Sequence, residues 1–313
     1  MIFIIVIECI MEMVRGFKRL KVIPKNVSTD LPTTSKLSAE QLHFYRDNGF
    51  LVIKRLINFT DLNNYKQHFI EACNDKVNLG VVTVVKERSL VTKSKKREDY
   101  INKLQDIQFD DVFKTYTEHP LLLDVVAQLI GNEIMVINCM FINKPPGTSI
   151  HPPHQDLHYF PYRPADQIIG TWTAVDHAHV NNGCLWVVPG SHKANTLHEH
   201  GLLPGALKMY HGIIDESTAP LDKRVHLEMG PGDTVFFHPL LVHGSGANIS
   251  KNYRKCISAH YAHTKCDCVD VHGTVQDIIA KEVEGEIKRR GVSLDFADYW
   301  RLKSKEVRGK SKL

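Results

Sequence analysis

The sequence lacks three features that would assign it to common classes of protein. Its formal net charge is +4 over 313 residues, which argues against a dedicated nucleic-acid binder, because such a protein carries a dense basic face. The seven cysteines are odd in number and scattered, which is typical of a reducing compartment rather than of a disulfide framework. We also find no internal repeat and no low-complexity segment. These absences leave a globular protein of ordinary composition.

The two ends of the chain carry separate signals. Residues 1–14 are apolar but lack the basic stretch of a signal peptide and the length of a spanning helix, so no stable membrane insertion is expected. A start at Met11 or Met13 would make this segment an artefact of the gene assignment. SKL at positions 311–313 is read as a peroxisomal import address. It predicts a peroxisomal protein that binds the import receptor, the alternative being a plain basic tail.

The pattern along the chain predicts helices first, then an antiparallel β-core and a final helix. Ser38 and Gln41 form a capping box. Helical spacing and end signals predict helices at about 38–48, 60–73, 119–130 and 274–289. From about residue 133, short β-rich runs alternate with Gly, Pro and Asn clusters, which indicates a sandwich, jelly roll or barrel. We expect a lead-in, a single domain that carries the chemistry and a basic tail, over residues 1–36, 37–300 and 301–313.

A histidine and a carboxylate lie two residues apart inside this predicted β-core. Residues i and i+2 of a strand point to the same face, so His154 and Asp156 can reach one ion together. His243 follows an apolar strand-like run and precedes a turn, which places it at a strand end facing a rim. Two histidines and one carboxylate that leave coordination positions open form the facial triad of non-haem Fe(II) oxygenases. The sequence therefore predicts an iron site at His154, Asp156 and His243.

Several alternatives to this site remain open from spacing alone. Because the chain has 18 histidines, one H-x-D pair is weak evidence. His151, His158 and His238 are rival ligands, and imidazole also suits zinc in a cupin-like barrel. Arg254 adds weight, since it lies one turn beyond His243 on the next predicted strand. If those strands pair, its guanidinium reaches the metal pocket and can bind a carboxylate through two hydrogen bonds, which lysine cannot reproduce.

Four long segments are informative together: HPPHQDLHYFPYRPADQIIGTWTAVDH, NNGCLWVVPGSHK, GDTVFFHPLLVHGSG and NYRKCISAHYA. In this order they resemble the phytanoyl-CoA dioxygenase family, from about Leu37 to the helix after residue 274. The resemblance implies a mainly β fold with flanking α, namely a double-stranded β-helix (jelly roll) core with N-terminal helices and a C-terminal helix. Two departures stand out. The GTSI loop before His151 is shorter than the family's, and the N-terminal peroxisomal signal of close relatives is absent.

The resemblance also implies a chemistry. The family uses Fe(II), 2-oxoglutarate and O2, with ascorbate as reductant, to hydroxylate the carbon α to the thioester of a branched acyl-CoA in peroxisomal fatty-acid α-oxidation. It makes His154, Asp156 and His243 the iron ligands. The residues it places near 2-oxoglutarate are Arg254 at the distal carboxylate, Ser245 assisting it, Lys103, Trp172 and Met140. The alternatives are that Trp172 and Met140 are core residues and that Lys103 is a solvated charge.

Two other functions remain open for this sequence. One alternative is a related dioxygenase that acts on another acyl or small-molecule substrate, and another is a non-catalytic jelly-roll binding protein. An intact triad with Arg254 argues against the latter. The carboxylate of Asp156 favours hydroxylation, because halogenating relatives have a small residue there. Candidate anchors for the CoA phosphates are Lys93, Lys95, Lys96 and Arg97, or the run 288–290, although such runs are more often solvated surface.

Overall fold

The computed structural model describes residues 36–92, 94–203 and 210–309. The expectations for residues 1–14 and 311–313 lie outside these residues. The helices are α1 (Ala39–Asn48), α2 (Phe59–Cys73), α3 (Arg88–Val91), α4 (Lys114–Thr117), α5 (Pro120–Ile130), α6 (Asp277–Arg289) and α7 (Phe296–Lys303). In this part of the chain, no helix combines the length and the apolar character that crossing a membrane requires.

The strands are short and concentrated in the middle of the chain. They are β1 (Phe50–Ile53), β2 (Thr83–Lys86), β3 (Ile101–Gln105), β4 (Ile134–Lys144), β5 (His151–His154), β6 (Tyr162–Arg163), β7 (Ile168–Ala174), β8 (Leu185–Val187), β9 (His200–Leu202), β10 (His211–Ile213), β11 (Val225–Leu227), β12 (Thr234–Phe237), β13 (His243–Ser245), β14 (Arg254–His263), β15 (Asp267–Cys268) and β16 (Lys305–Arg308). The predicted order of helices, β-core and final helix is confirmed in outline, but β1, β2 and β3 lie among the first helices, two helices follow the β-core, and β16 comes after them.

The helix ends follow the capping signals of the sequence. The Ser38 hydroxyl accepts the Gln41 N–H, and the Gln41 side chain accepts the Ser38 N–H, so the predicted capping box is present. Gly49 ends α1 in the left-handed region with φ 78°, a conformation that glycine adopts without steric cost. The last predicted helix begins at Asp277 rather than near 274, after a turn at Thr274.

Two antiparallel sheets make up most of the β-core. The larger sheet has the order β1-β12-β7-β14-β4-β3-β2, and β16 also pairs with β4. The smaller sheet has the order β11-β8-β13-β5, and two further two-stranded ladders join β9 to β10 and β6 to β15. Residues 305–308, expected in the basic tail, thus belong to the larger sheet. The division of the chain into domains stays a prediction.

The larger sheet is covered on both faces, which explains its nearly continuous apolar strands. On β1, Phe50 and Val52 join the cluster between the two sheets, whereas Leu51 and Ile53 join the cluster beneath the N-terminal helices. This alternation is the period of two that a pleated strand imposes. Each such fully buried side chain contributes roughly 1.5–3 kcal/mol to folding. The space between the sheets holds the candidate site.

Gln276, just before α6, ties the C-terminal helices to the loop after β5. Its side chain is buried, with 1% of its surface exposed. Its amide nitrogen donates to the carbonyls of Leu157, His158 and Phe160 at 2.9, 3.1 and 3.0 Å. Its side-chain oxygen accepts from Arg163. One side chain therefore fixes the backbone that follows Asp156.

We expect Gln276→Ala to lower the free energy of unfolding by about 2–3 kcal/mol, because three buried carbonyls lose their shared donor. Urea denaturation measures this change. The control is Gln67→Ala on α2, where the exposed amide donates to Glu71 at 3.0 Å and a change within about 0.5 kcal/mol is expected. Equal losses in the two variants would contradict the proposed clamp.

Candidate metal centre

His154 and His243 meet because their strands pair. Strand β13 runs antiparallel to β5, with His243 directly opposite His154. Directly opposed residues in such a ladder project to the same face, and the two ring centroids lie 4.2 Å apart. Both side chains are buried, with 4% and 5% of their surfaces exposed. The register of one short strand pair thus joins residues that are distant in sequence.

Asp156 reaches the same point by a different route from the one expected. Strand β5 ends at His154, and Asp156 opens a 3-10 turn, so strand alternation does not place it. The chain leaves the sheet because the buried Gln155 side chain donates to the carbonyls of Thr196 and Leu240 at 2.9 and 2.8 Å. One carboxylate oxygen of Asp156 then lies 3.4 Å from His154 Nε2 and 3.6 Å from His243 Nε2.

Backbone carbonyls set the tautomers of the two histidines. Nδ1 of His154 donates to the carbonyl of Pro152, and Nδ1 of His243 to that of Leu241, both at 2.9 Å. A carbonyl only accepts, so Nε2 of each ring is left as the lone-pair donor. Burial lowers the pKa of His243 to about 4, which keeps that imidazole neutral near pH 7. Neutral imidazole is the form that binds a metal ion.

His260 on β14 holds the other oxygen of the Asp156 carboxylate. Its Nε2 lies 2.7 Å from Oδ2 of Asp156. Burial would raise the pKa of Asp156, but His243 and His260 outweigh it and hold the pKa well below its usual range. His260 is not among the residues predicted from the sequence. Its even spacing from Arg254 on one strand, which puts both on one face, is the signal that could have found it.

The donor set fits a metal ion. The donor atoms of His154, Asp156 and His243 lie within 4.8 Å of one another, and no other such group occurs among the residues that the structure describes. Two imidazole nitrogens and one carboxylate oxygen match the facial triad of non-haem iron. The same donors suit zinc, so the donor set alone does not select the metal.

The rival histidines are engaged elsewhere. Nε2 of His158 lies 2.8 Å from Nδ1 of His211, and Nδ1 of His238 accepts the N–H of Leu240 at 3.1 Å. His151 stacks on the ring of His154, with centroids 4.2 Å apart, and is not part of the donor group. The structure therefore favours the three ligands that were predicted first.

Arg254 lies on the larger sheet, whereas His154 and His243 lie on the smaller one. The expected pairing of its strand with that of His243 is absent, since β13 pairs with β5 and β8 and β14 pairs with β4 and β7. The buried guanidinium lies over the ring of Trp172, with Cζ 5.3 Å from the centroid, and Nη1 lies 3.2 Å from Sγ of Cys256. Its Nε has no hydrogen-bond partner in the described part of the chain.

The other predicted residues lie on strands of the two sheets. Ser245 is buried, and its hydroxyl accepts from Lys144 Nζ at 3.0 Å. Lys103 Nζ lies 5.4 Å from the ring centroid of Tyr210, and burial lowers the pKa of Lys103 to about 8. Met140 lies opposite Ser258 in the β4–β14 ladder, on the face that Arg254 shares. The sequence analysis did not single out Lys144 and Tyr210.

The basic runs considered for the CoA phosphates are largely paired within the chain. Lys96 lies 2.6 Å from Glu98, Arg97 pairs with Asp75, and Arg289 pairs with Glu286. Lys93 lies outside the described residues. These contacts favour the interpretation of the runs as solvated surface, and the CoA site stays a prediction.

Comparison with known proteins decides the family. The family model described as phytanoyl-CoA dioxygenase matches residues 45–256. A Caenorhabditis elegans protein named probable phytanoyl-CoA dioxygenase is 46% identical over 297 residues, covering 88% of this chain and 95% of that one. The peroxisomal phytanoyl-CoA dioxygenase of Mus musculus is 44% identical over 284 residues, covering 87% and 83%. The chain belongs to the phytanoyl-CoA dioxygenase family. The expectation of a dioxygenase is thereby confirmed.

Several solved structures share the fold of this chain. The non-haem α-ketoglutarate-dependent carbocyclase SnoK from nogalamycin biosynthesis has a TM-score of 0.59 at 22% identity, covering 83% of this chain and 93% of that one. EctD from S. alaskensis with bound Fe has a TM-score of 0.58 at 20% identity, covering 78% and 80%. At these identities the likeness concerns the fold, and the predicted jelly-roll core with flanking helices is confirmed.

We expect His260→Leu to weaken metal binding by about 10- to 100-fold, because leucine cannot donate to Asp156 and loss of the partner of a ligating carboxylate typically costs that much. Titration of the metal-free protein with Fe(II) under anaerobic conditions measures the affinity. The control is His263→Asn on the same strand, where the ring lies 3.8 Å from Glu133, and unchanged affinity is expected. An unchanged affinity in the His260 variant would show that Asp156 holds its position without this hydrogen bond.

Proposed function

We propose that the chain is an Fe(II)- and 2-oxoglutarate-dependent dioxygenase that hydroxylates the carbon α to the thioester of a branched acyl-CoA such as phytanoyl-CoA. One observation carries the proposal. The buried donor set of His154, Asp156 and His243 on one side faces a buried guanidinium, Arg254, on the sheet opposite. A metal site alone would suit many reactions, but a metal site with an anion receptor beside it suits a carboxylate co-substrate.

His154, Asp156 and His243 would hold the iron. The two rings present Nε2 because Nδ1 of each donates to a backbone carbonyl, and the carboxylate stays ionised because its pKa is held low. Three protein ligands leave coordination positions for a co-substrate and O2. Bound iron supplies the activation of O2 that is coupled to decarboxylation of 2-oxoglutarate to succinate. A carboxylate at Asp156, rather than a small residue that would admit halide, favours hydroxylation.

Arg254 would bind the distal carboxylate of 2-oxoglutarate. A guanidinium offers two parallel N–H donors to a carboxylate, and the ring of Trp172 supports the face of this one. Ser245 presents a hydroxyl on the strand that carries His243, within the same buried space. Lys103 and Met140 complete the expected surroundings of the co-substrate. Ascorbate as the reductant that keeps iron in the Fe(II) state is part of the proposal.

The substrate class rests on the names of the relatives. The mouse and human relatives are named phytanoyl-CoA dioxygenase, and the chain is 44% and 43% identical to them. A related dioxygenase acting on another acyl or small-molecule substrate is the second candidate. A non-catalytic binding protein would not need to retain three converging ligands together with Arg254.

The decisive experiment is reconstitution of the chain with Fe(II), followed by measurement of succinate release from 2-oxoglutarate with and without phytanoyl-CoA. We expect release that depends on the acyl-CoA, together with formation of the 2-hydroxyacyl-CoA. His243→Ala should abolish it, whereas His238→Ala, which removes a histidine outside the donor group, should retain it. Retained turnover in the His243 variant would refute the ligand assignment. Succinate release that does not depend on phytanoyl-CoA but increases with another substrate would favour the second candidate.

We further propose that the chain acts in peroxisomes, in the α-oxidation of fatty acids. The mouse and human relatives carry the word peroxisomal in their names, and the tripeptide at 311–313 is the address that the import receptor reads at a C-terminus. A cytosolic protein with the same chemistry is the alternative.

Deletion of residues 311–313 tests this localisation. We expect a chain with an N-terminal fluorescent tag to colocalise with a peroxisomal marker, and the shortened chain to become cytosolic. A Lys310→Ala variant, which keeps the tripeptide, is the control and should remain peroxisomal. Import of the shortened chain would mean that another segment carries the address.

A further inference from the structure

A second buried cation stands beside Arg254. Lys144 on β4 is the Cα partner of Arg254 on β14, so the two side chains project from neighbouring strands to the same face. They are 4% and 3% exposed. The aliphatic part of the Lys144 side chain packs directly against Gly183. A Cβ added to this glycine would lie only 3.0 Å from Cε of Lys144. The ammonium nitrogen ends 3.0 Å from the hydroxyl of Ser245.

This lysine differs from the other buried lysines in the described part of the chain. Lys255 lies 2.8 Å from Glu98, and Lys303 lies 2.7 Å from Asp106. Lys144 and Arg254 form no ion pair with any carboxylate among the described residues. A buried charge is costly unless an opposite charge accompanies it. The pair therefore lacks the counter-charge that the other buried lysines have.

The surroundings of Lys144 favour its neutral form. Burial, followed by the charge of Arg254, holds the pKa of Lys144 well below its usual range. The groups that face it are Arg254 and Cys256 on β14, Cys184 before β8, Glu87 after β2, Ser245 on β13 and His151 on β5. Glu87 and the two thiols act in the opposite direction but do not compensate. The pair thus combines one guanidinium with one amine that can accept a proton.

We propose that Lys144 is a second cation for the distal carboxylate of 2-oxoglutarate, and that it takes up one proton from solvent when the co-substrate binds. This inference rests on the proposed function. A carboxylate placed between Lys144 and Arg254 supplies the missing counter-charge, which favours the ammonium form. The proton goes to Nζ, and no other covalent bond changes. Lys144 then acts as a positioning residue that couples binding of the co-substrate to pH.

Thermodynamic linkage between proton binding and 2-oxoglutarate binding fixes the direction in which the Kd changes with pH. If Lys144 is unprotonated without the co-substrate and protonated with it, binding consumes a proton at any pH between the two pKa values. Within that window, the Kd for 2-oxoglutarate rises about tenfold for each unit of pH. Lys103 also titrates nearby, with a pKa of about 8. At pH 7.0 it is already mostly protonated and contributes about a tenth of a proton at most.

Calorimetry of the anaerobic Fe(II)-loaded protein at pH 7.0 tests the proposal without turnover. Titration with 2-oxoglutarate in two buffers of different ionisation enthalpy gives the number of protons bound. We expect close to one proton for the wild type. For Lys144→Met we expect close to zero, with a Kd at least tenfold higher. Because methionine replaces a neutral side chain of similar length, the melting temperature of the metal-free variant should stay near that of the wild type.

Two further variants separate charge from packing. Lys144→Arg keeps a permanent charge, so it should bind 2-oxoglutarate more tightly than the methionine variant but without uptake of a proton. Lys255→Met, a buried lysine on the neighbouring strand that already has a carboxylate partner, should keep the uptake near one. Binding by the wild type with no proton uptake, or full uptake in Lys144→Met, would overturn this inference alone. Absence of any 2-oxoglutarate binding would overturn the proposed function as well.

Discussion

The candidate site depends on one short strand pair. Strand β13 is three residues long, yet its register against β5 sets His243 opposite His154. A slip of one residue would turn His243 to the other face of the smaller sheet. β13 is held on its second side by β8, so it has strand partners on both sides. The geometry of the two imidazoles follows from this pairing.

The loop after β5 is the second constraint, because it carries the third ligand outside the sheet. A 3-10 turn has few hydrogen bonds of its own, so its position here comes from side chains that reach in from distant segments. Gln276 holds the carbonyls that follow Asp156, and His260 holds the carboxylate itself. The C-terminal part of the chain thereby stabilises the metal loop.

The two sheets divide the chemistry between them. The smaller sheet and its loop supply ligands for a metal cation, whereas the larger sheet supplies Arg254 and Lys144 for an anion. Burial between the sheets lowers the dielectric, which strengthens both sets of interactions and makes an unpaired charge costly. Burial and the charge of Arg254 favour the neutral form of Lys144, which lowers the cost of burying the two side chains together.

Part of this arrangement can be predicted from the local sequence, and part of it cannot. Residue type and spacing determined the helices, the β-texture and the candidate ligands, because caps, periodicity and donor chemistry are local properties. The sequence offers the strand of His243 as a partner for the strand of Arg254, which the structure does not pair, and it does not predict the roles of His260 and Lys144. The roles of His260 and Lys144 arise from contacts between distant segments. His260 bonds to Asp156, and Lys144 lies opposite Arg254, and in each pair the two residues are more than one hundred positions apart. Strand register and sheet facing are settled by long-range packing, and only the tertiary structure decides them.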